Sequence, residues 1–198
     1  MGKRYGRVIA AVALLVSAPV LAQAYGEGYT FLKAVKERDG TKASSMAAVP
    51  GTIVVNTRDR STGEGAIHFV VRDRDQTWLA FLIGRGARVD LQNNRGETPL
   101  ALAAQMGWVE GARFLLSHRA SVDLPTSRGE TPLILAVQKR DVAMVRLLLS
   151  KGANPKKADN VTGKTALDYA RQDSRAAVIL KLLEAKPAPA KAVAGPKL

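Results

Sequence analysis

Glycine recurs in this chain at a nearly fixed interval. Gly63, Gly96 and Gly129 lie 33 residues apart, and Gly163 follows after 34. A chain that repeats at such a period folds by stacking copies of one small unit, each touching only its neighbours. The residues after the glycines repeat as well. Gly96-Glu-Thr-Pro-Leu-Ala-Leu-Ala103 is matched by Gly129-Glu-Thr-Pro-Leu-Ile-Leu-Ala136. Looser copies are Gly63-Glu-Gly-Ala-Ile-His-Phe-Val70 and Gly163-Lys-Thr-Ala-Leu-Asp-Tyr-Ala170. A second apolar block follows in each copy, at 78–83, 111–116, 144–149 and 178–183.

The physics of one unit can be read directly. The hydroxyls of Thr98 and Thr131 suit a helix N-terminus, and Pro99 and Pro132 suit its first turn, where no N–H partner is needed. A short helix rich in Leu and Ala follows. The second block carries apolar residues at i, i+3 and i+4, the pattern of another helix. Gly86 and Gly152 stand where a helix closes in the left-handed conformation. Neither helix pair can bury its apolar face alone, so the copies must stack. Arg119 replaces the closing glycine in one copy, and a left-handed non-glycine residue costs about 1–2 kcal/mol. Gly111 sits inside a helix where the other copies carry Trp78, Met144 and Val178. Its propensity cost of about 1 kcal/mol, with the packing lost, marks the middle copy as the expected soft point.

The 33-residue period with Gly-x-Thr-Pro-Leu and Leu-Leu-x-x-Gly-Ala resembles the ankyrin repeat family. The resemblance implies an all-α repeat fold, a solenoid of about five helix-turn-helix units joined by β-hairpin fingers. The units fall at 63–95, 96–128 and 129–162, with a last one at 163–185 in which Ala166 replaces the proline. A divergent first unit occupies 28–62. Its expected helices are Tyr29–Val35 and Lys42–Ala48, followed by Pro50-Gly51 turning into an extended Thr52–Val55. The repeat domain as a whole spans 25–185. The family's helix histidine is present once, as His68, where the resemblance implies structural hydrogen bonds.

The two ends differ in kind. Lys3, Arg4 and Arg7 precede an uncharged run from Val8 to Val20, and Ala22-Gln23-Ala24 closes it with small residues. That order is similar to a secretory signal peptide over residues 1–24, with cleavage after Ala24 and a periplasmic or secreted destination. The apolar run is shorter than the ~20 residues of a spanning helix, so no integral membrane segment is expected after cleavage. Residues 186–198 hold Pro, Ala and Lys and read as a flexible tail.

Chemistry is sparse. Cysteine is absent and only His68 and His118 could serve as imidazole ligands, so no metal or cofactor is expected. No nucleophile elbow, phosphate loop or dinucleotide fingerprint occurs, and the expectation is a non-catalytic protein. The net charge of +13 first suggests nucleic acid. Three of those charges belong to the leader, and Lys186, Lys191 and Lys197 belong to the tail. Around the fingers seven cations face five acids, which is no phosphate-tracking stripe. The leader and the aromatic content of 5% also disfavour nucleic acid.

What the resemblance implies is a monomeric module that binds another protein, as a scaffold, stress-protection factor or inhibitor of the cell envelope. Its binding positions in that family are the finger tips and the exposed face of the first helices. Here they are Arg60, Asn94, Arg95, Ser127 and Arg128 at the tips. On the helix face they are Arg72, Gln105, Met106, Gln138 and Lys139. Anchors tend to be aromatic or arginine, which favours Arg60, Arg95 and Arg128. The second reading is electrostatic docking on an anionic envelope polymer or membrane surface through the basic tail and body.

Overall fold

A computed structural model describes residues 18–49 and 53–185, with side chains described from Gly26 onward. Its α-helices are α1 (Ala18–Lys36), α2 (Gly40–Ala47), α3 (Ala66–Arg72), α4 (Gln76–Gly84) and α5 (Pro99–Met106). They continue with α6 (Val109–Ser117), α7 (Pro132–Gln138), α8 (Val142–Ser150), α9 (Ala166–Gln172) and α10 (Ala177–Glu184). Consecutive helices pack as antiparallel-type pairs, α1 with α2 through α9 with α10. First helices also pack on first helices, in the order α3, α5, α7, α9, and second helices on second helices, α6 to α8 to α10. The result is a two-layer stack with one continuous apolar core, whose fully buried members include Leu79, Leu82, Leu100, Leu115, Leu133, Met144 and Leu148. Each such side chain contributes roughly 1.5–3 kcal/mol of burial.

The helices start where their caps are. Thr98 and Thr131 accept hydrogen bonds from the amides of Ala101 and Ile134, with Pro99 and Pro132 opening the helices. Gly65 has no hydroxyl to offer, and His68 supplies the cap from the other side: its Nδ1 accepts from the Gly65 N–H at 3.0 Å. The Nε2 therefore carries the proton and donates to Glu97 O at 3.1 Å, tying one unit to the next. At α9 the two devices coexist, as Thr165 caps Asp168 while the Asp168 carboxylate accepts from the Thr165 N–H.

The fingers explain the glycine period. Each finger closes on itself through an amide-to-carbonyl bond, Asp59 to Glu64, Asn93 to Glu97, Thr126 to Glu130 and Asp159 to Lys164, and in the first three the glycine amide also donates back, to Asp59 O, Asn93 O and Thr126 O. Adjacent fingers are also joined backbone to backbone: Asn94 N–H to Thr62 O, Ser127 N–H to Arg95 O, and Asn160 N–H to Arg128 O. Gly63, Gly96 and Gly129 have φ of 70°, 70° and 79°. A Cβ on them would lie 2.7, 2.5 and 2.4 Å from the amide nitrogen of the next finger. Only glycine permits that approach. Gly163 keeps the left-handed φ, at 68°, but faces open space, since no further finger follows it among the described residues.

Three expectations change. The fingers are tight turns carrying only isolated bridges, Arg58 with Gly65 and Ala158 with Thr165, and no strand forms among the described residues. The two arms of each finger are too short for more than this closure before the flanking helix begins. The extended segment expected at Thr52–Val55 is instead a 3-10 turn, Val54–Asn56, which buries Val54 and Val55 under α1; Pro50–Thr52 lie outside the described residues. The first helix is longer than Tyr29–Val35 and runs without a break through Ala24. The basic start of the leader, most of its apolar run and the tail 186–198 lie outside the described residues. Among the described residues no helix is long and apolar enough to cross a membrane.

Candidate partner-binding surface

The finger tips and the outer faces of α3 and α5 enclose an open depression of about 630 Å³. Arg72, Asn94, Arg95, Gln105 and Met106 of the sequence-derived set line it, together with Ser61, Thr62, Glu64, Asn93 and Leu102. The stacking of units one period apart brings these residues together. Asn94 is held at the tip, with its side-chain amide donating to Ser61 O at 2.9 Å and its oxygen accepting from Arg58 at 3.3 Å. Gln105 is exposed, while Met106 and Leu102 form a more apolar floor. Arg60 lies outside the depression, exposed on the first finger. Ser127, Arg128, Gln138 and Lys139 continue the same face one period further on, and all four are exposed.

Charge on this face is paired. The Arg72 guanidinium donates both its terminal nitrogens to Glu64, which is 6% exposed. Burial pushes the Glu64 pKa up, but Arg72 outweighs it and holds the carboxyl below its usual range. In return Glu64 raises the pKa of Arg72 further. Arg95 lies 2.8 Å from Glu97 and Arg128 lies 3.7 Å from Glu130. Gln138 reaches Glu130 at 3.4 Å and Lys164 reaches Gln172 at 2.8 Å, so the eight-residue link from finger to helix recurs with changed chemistry. In the second complete unit Glu97 turns instead to Asn93 and Arg95, which leaves Gln105 facing outward. Exposed pairs of this kind add little stability, roughly 0–1 kcal/mol each. They fix the direction of the arginines.

Three further groups serve local structure. His68 is fully buried, and that burial lowers its pKa against the partial support of its bond to Glu97 O. Hydrogen bonds from the Ser61 hydroxyl and the Thr62 and Ser61 amides hold Asp59 at a pKa of about 2. At Asp159 burial acts upward, yet bonds from Thr162, Tyr169 and Val161 keep the carboxyl well below the usual range. Among the described residues no group of His, Asp or Glu is arranged to hold a metal ion.

Sequence reasoning missed one ladder. Arg38, Arg74 and Arg140 sit between the first and second helices of their units with φ of 60°, 55° and 56°, and Gly107 fills the same place with φ 68°. Each arginine reaches the next unit. Arg38 meets Asp73 at 2.7 Å, Arg74 donates to Met106 O at 2.5 Å, and Arg140 meets Asp173 at 2.5 Å. The signal was available in the spacing of 36, 33 and 33 residues through Gly107, but nothing in an arginine itself announces a left-handed backbone.

Comparison with known families agrees with this architecture. The family model described as ankyrin repeats (3 copies) matches residues 55–159 and 125–191. No curated protein matches the chain significantly.

Proposed function

Because the chain belongs to the ankyrin repeat family, whose units mediate protein–protein interaction, we propose that it is a non-catalytic binding module of the bacterial cell envelope. We take the five helix pairs as five units and the tight turns between them as the fingers. The observation that carries the reading is the depression between the first two complete fingers and α3 and α5. There Gln105 and Asn94 offer amides, Met106 and Leu102 offer apolar contact, and Arg72 and Arg95 are already neutralised by Glu64 and Glu97. Such a surface suits an uncharged or weakly charged protein segment better than a highly charged one. The leader-like residues 1–24 support a periplasmic or secreted location, with cleavage after Ala24. In that compartment a scaffold, stress-protection or inhibitor role is open to a monomer of this kind.

The test is crosslinking in cells followed by mass spectrometry, with the native chain beside Gln105→Arg and Met106→Glu variants. Loss of one reproducible partner from both variants, with helical content unchanged, is the expected result. Full recovery of that partner by both variants would remove this face from the function.

A further inference from the structure

The charges divide unevenly between the two layers of the stack. The fingers and first helices of the four complete units (58–75, 92–108, 125–141 and 158–176) hold eleven cations and ten acids. The second helices and the loops after them (76–91, 109–124, 142–157 and 177–185) hold nine cations and four acids. Pairing widens the gap. Asp90 accepts from the backbone and hydroxyl of Ser121, Asp123 accepts from the Asn154 amide, and Glu184 pairs with Arg171 of α9. Three of the four acids are thus occupied by the stack itself. All nine cations are exposed, and among the described residues none of them enters an ion pair.

The cations are also aligned. Arg113, Arg146 and Lys181 each stand two residues before the buried core leucine of their helix, Leu115, Leu148 and Leu183. They therefore occupy one outer position in α6, α8 and α10, and adjacent helices place them about 8–10 Å apart. Arg85 and Lys151 hold a second such register, three residues after Leu82 and Leu148. We propose that this side of the molecule binds a linear polyanion of the anionic-glycan class, bearing carboxylate or sulfate groups and lying along the stack. Charge complementarity carries the choice of a polyanion, and two further observations select the class. Val178 is the one exposed large apolar side chain of α4, α6, α8 and α10, so there is no apolar wedge to enter a bilayer. The rings of Trp78, Phe81 and Phe114 are covered by their own neighbours, Arg38 at 5.6 Å, Arg85 at 5.3 Å and His118 at 4.4 Å. Among the described residues of this layer no open aromatic platform is left on which bases could stack. This surface lies on the opposite layer from the proposed protein-binding face, so either reading can fail alone.

The experiment measures binding of a size-defined heparin octasaccharide to the full chain by calorimetry, across a salt series. The native chain is compared with a triple reversal (Arg113→Glu, Arg146→Glu and Lys181→Glu) and with Arg95→Glu/Arg128→Glu on the other layer. The expected result is a loss of about tenfold or more in the triple variant at about 50 mM salt, with the slope of log K on log salt reduced by about three. The Arg95/Arg128 variant should stay within about twofold. A triple neutral variant, with Gln at the same positions, guards against misfolding and should lose affinity by a smaller factor. Unchanged heparin binding in both triple variants would overturn the proposal. So would tighter binding to single-stranded DNA, or to vesicles rich in phosphatidylglycerol, than to heparin.

Discussion

Units 96–128 and 129–162 begin with the same phrase, Gly-Glu-Thr-Pro-Leu, and then turn the same left-handed corner between their helices with different side chains. In the second of them Arg140 takes the left-handed position, Asp141 caps α8 by accepting from the Met144 amide, and Met144 is fully buried. In the first, glycine takes the left-handed position at Gly107 and a tryptophan stands where the cap should be. Trp108 is 6% exposed. Its ring lies over Gly111, where an added Cβ would meet ring atoms at 2.0 to 2.3 Å. One unit starts its second helix with a side-chain hydrogen bond; the other starts it with an aromatic plug in a hole left by glycine. The difference teaches that a repeat conserves the space to be filled and the corner to be turned, while the chemistry doing so is free to vary.

This comparison reverses the sign of one substitution, and that is the largest effect expected. Helix propensity alone says Gly111→Ala should stabilise α6 by about 1 kcal/mol. The position of the Trp108 ring says it should destabilise, by roughly 2–3 kcal/mol, because overpacking displaces a buried side chain. Urea unfolding followed by circular dichroism decides the sign. Exchanging the whole device, as Trp108→Asp with Gly111→Met, should recover most of the loss seen in either single change, since it rebuilds the arrangement of Asp141 and Met144. If the double variant is no better than the worse single one, the two units are not interchangeable solutions. A smaller effect is expected at the cap itself. Asp141→Ala should cost about 1 kcal/mol, the usual worth of a side-chain N-cap. Trp108→Asp with Gly111 left in place would add a cap to α6 but vacate the ring's space.

The same pair of units shows what could be read from residues alone. The period, the threonine caps, the helix order and the left-handed Arg119, with φ 66°, were legible because each has a side-chain signature at fixed spacing. His68 was legible in role, though its partner Glu97 O belongs to another unit and leaves no mark. The bonds between fingers run through peptide groups, which every residue possesses, so only the glycine that makes room for them appears in the sequence. Softness at Gly111 was half read: the propensity cost stands, but Trp108 fills the space that the missing side chain would occupy. Trp108 and Gly111 stand together at one helix entry, but helix propensity belongs to an isolated helix and takes no account of a ring packed over it. The surface was partly legible. Five of the expected residues line the depression because position within the unit decides exposure, and Glu64 is legible as one of the finger acids, whereas its pairing with Arg72, eight residues on, is not. The imbalance between layers appears only when each charge is assigned to a first or a second helix.

The smallest effect concerns the two left-handed arginines that flank the comparison. Arg119 closes α6 with φ 66°, is exposed, and among the described residues enters no ion pair. Replacing it with glycine relieves about 1–2 kcal/mol of backbone strain, less the roughly 0.4–1 kcal/mol by which glycine loosens the unfolded chain. A net gain of about half a kcal/mol or a little more should appear as a higher urea midpoint at unchanged slope. Arg140, with φ 56°, has the same strain to relieve, but its guanidinium lies 2.5 Å from Asp173 of the next unit. With both groups partly exposed, that pair is worth about 0.2–1 kcal/mol, so Arg140→Gly should be close to neutral. The two substitutions therefore differ by the worth of one inter-unit ion pair, and salt should remove the difference. At about 1 M salt, where screening acts within roughly 3 Å, Arg140→Gly should approach the gain of Arg119→Gly. A gap that persists undiminished at high salt would mean that the Arg140 side chain holds the next unit by packing and not by charge.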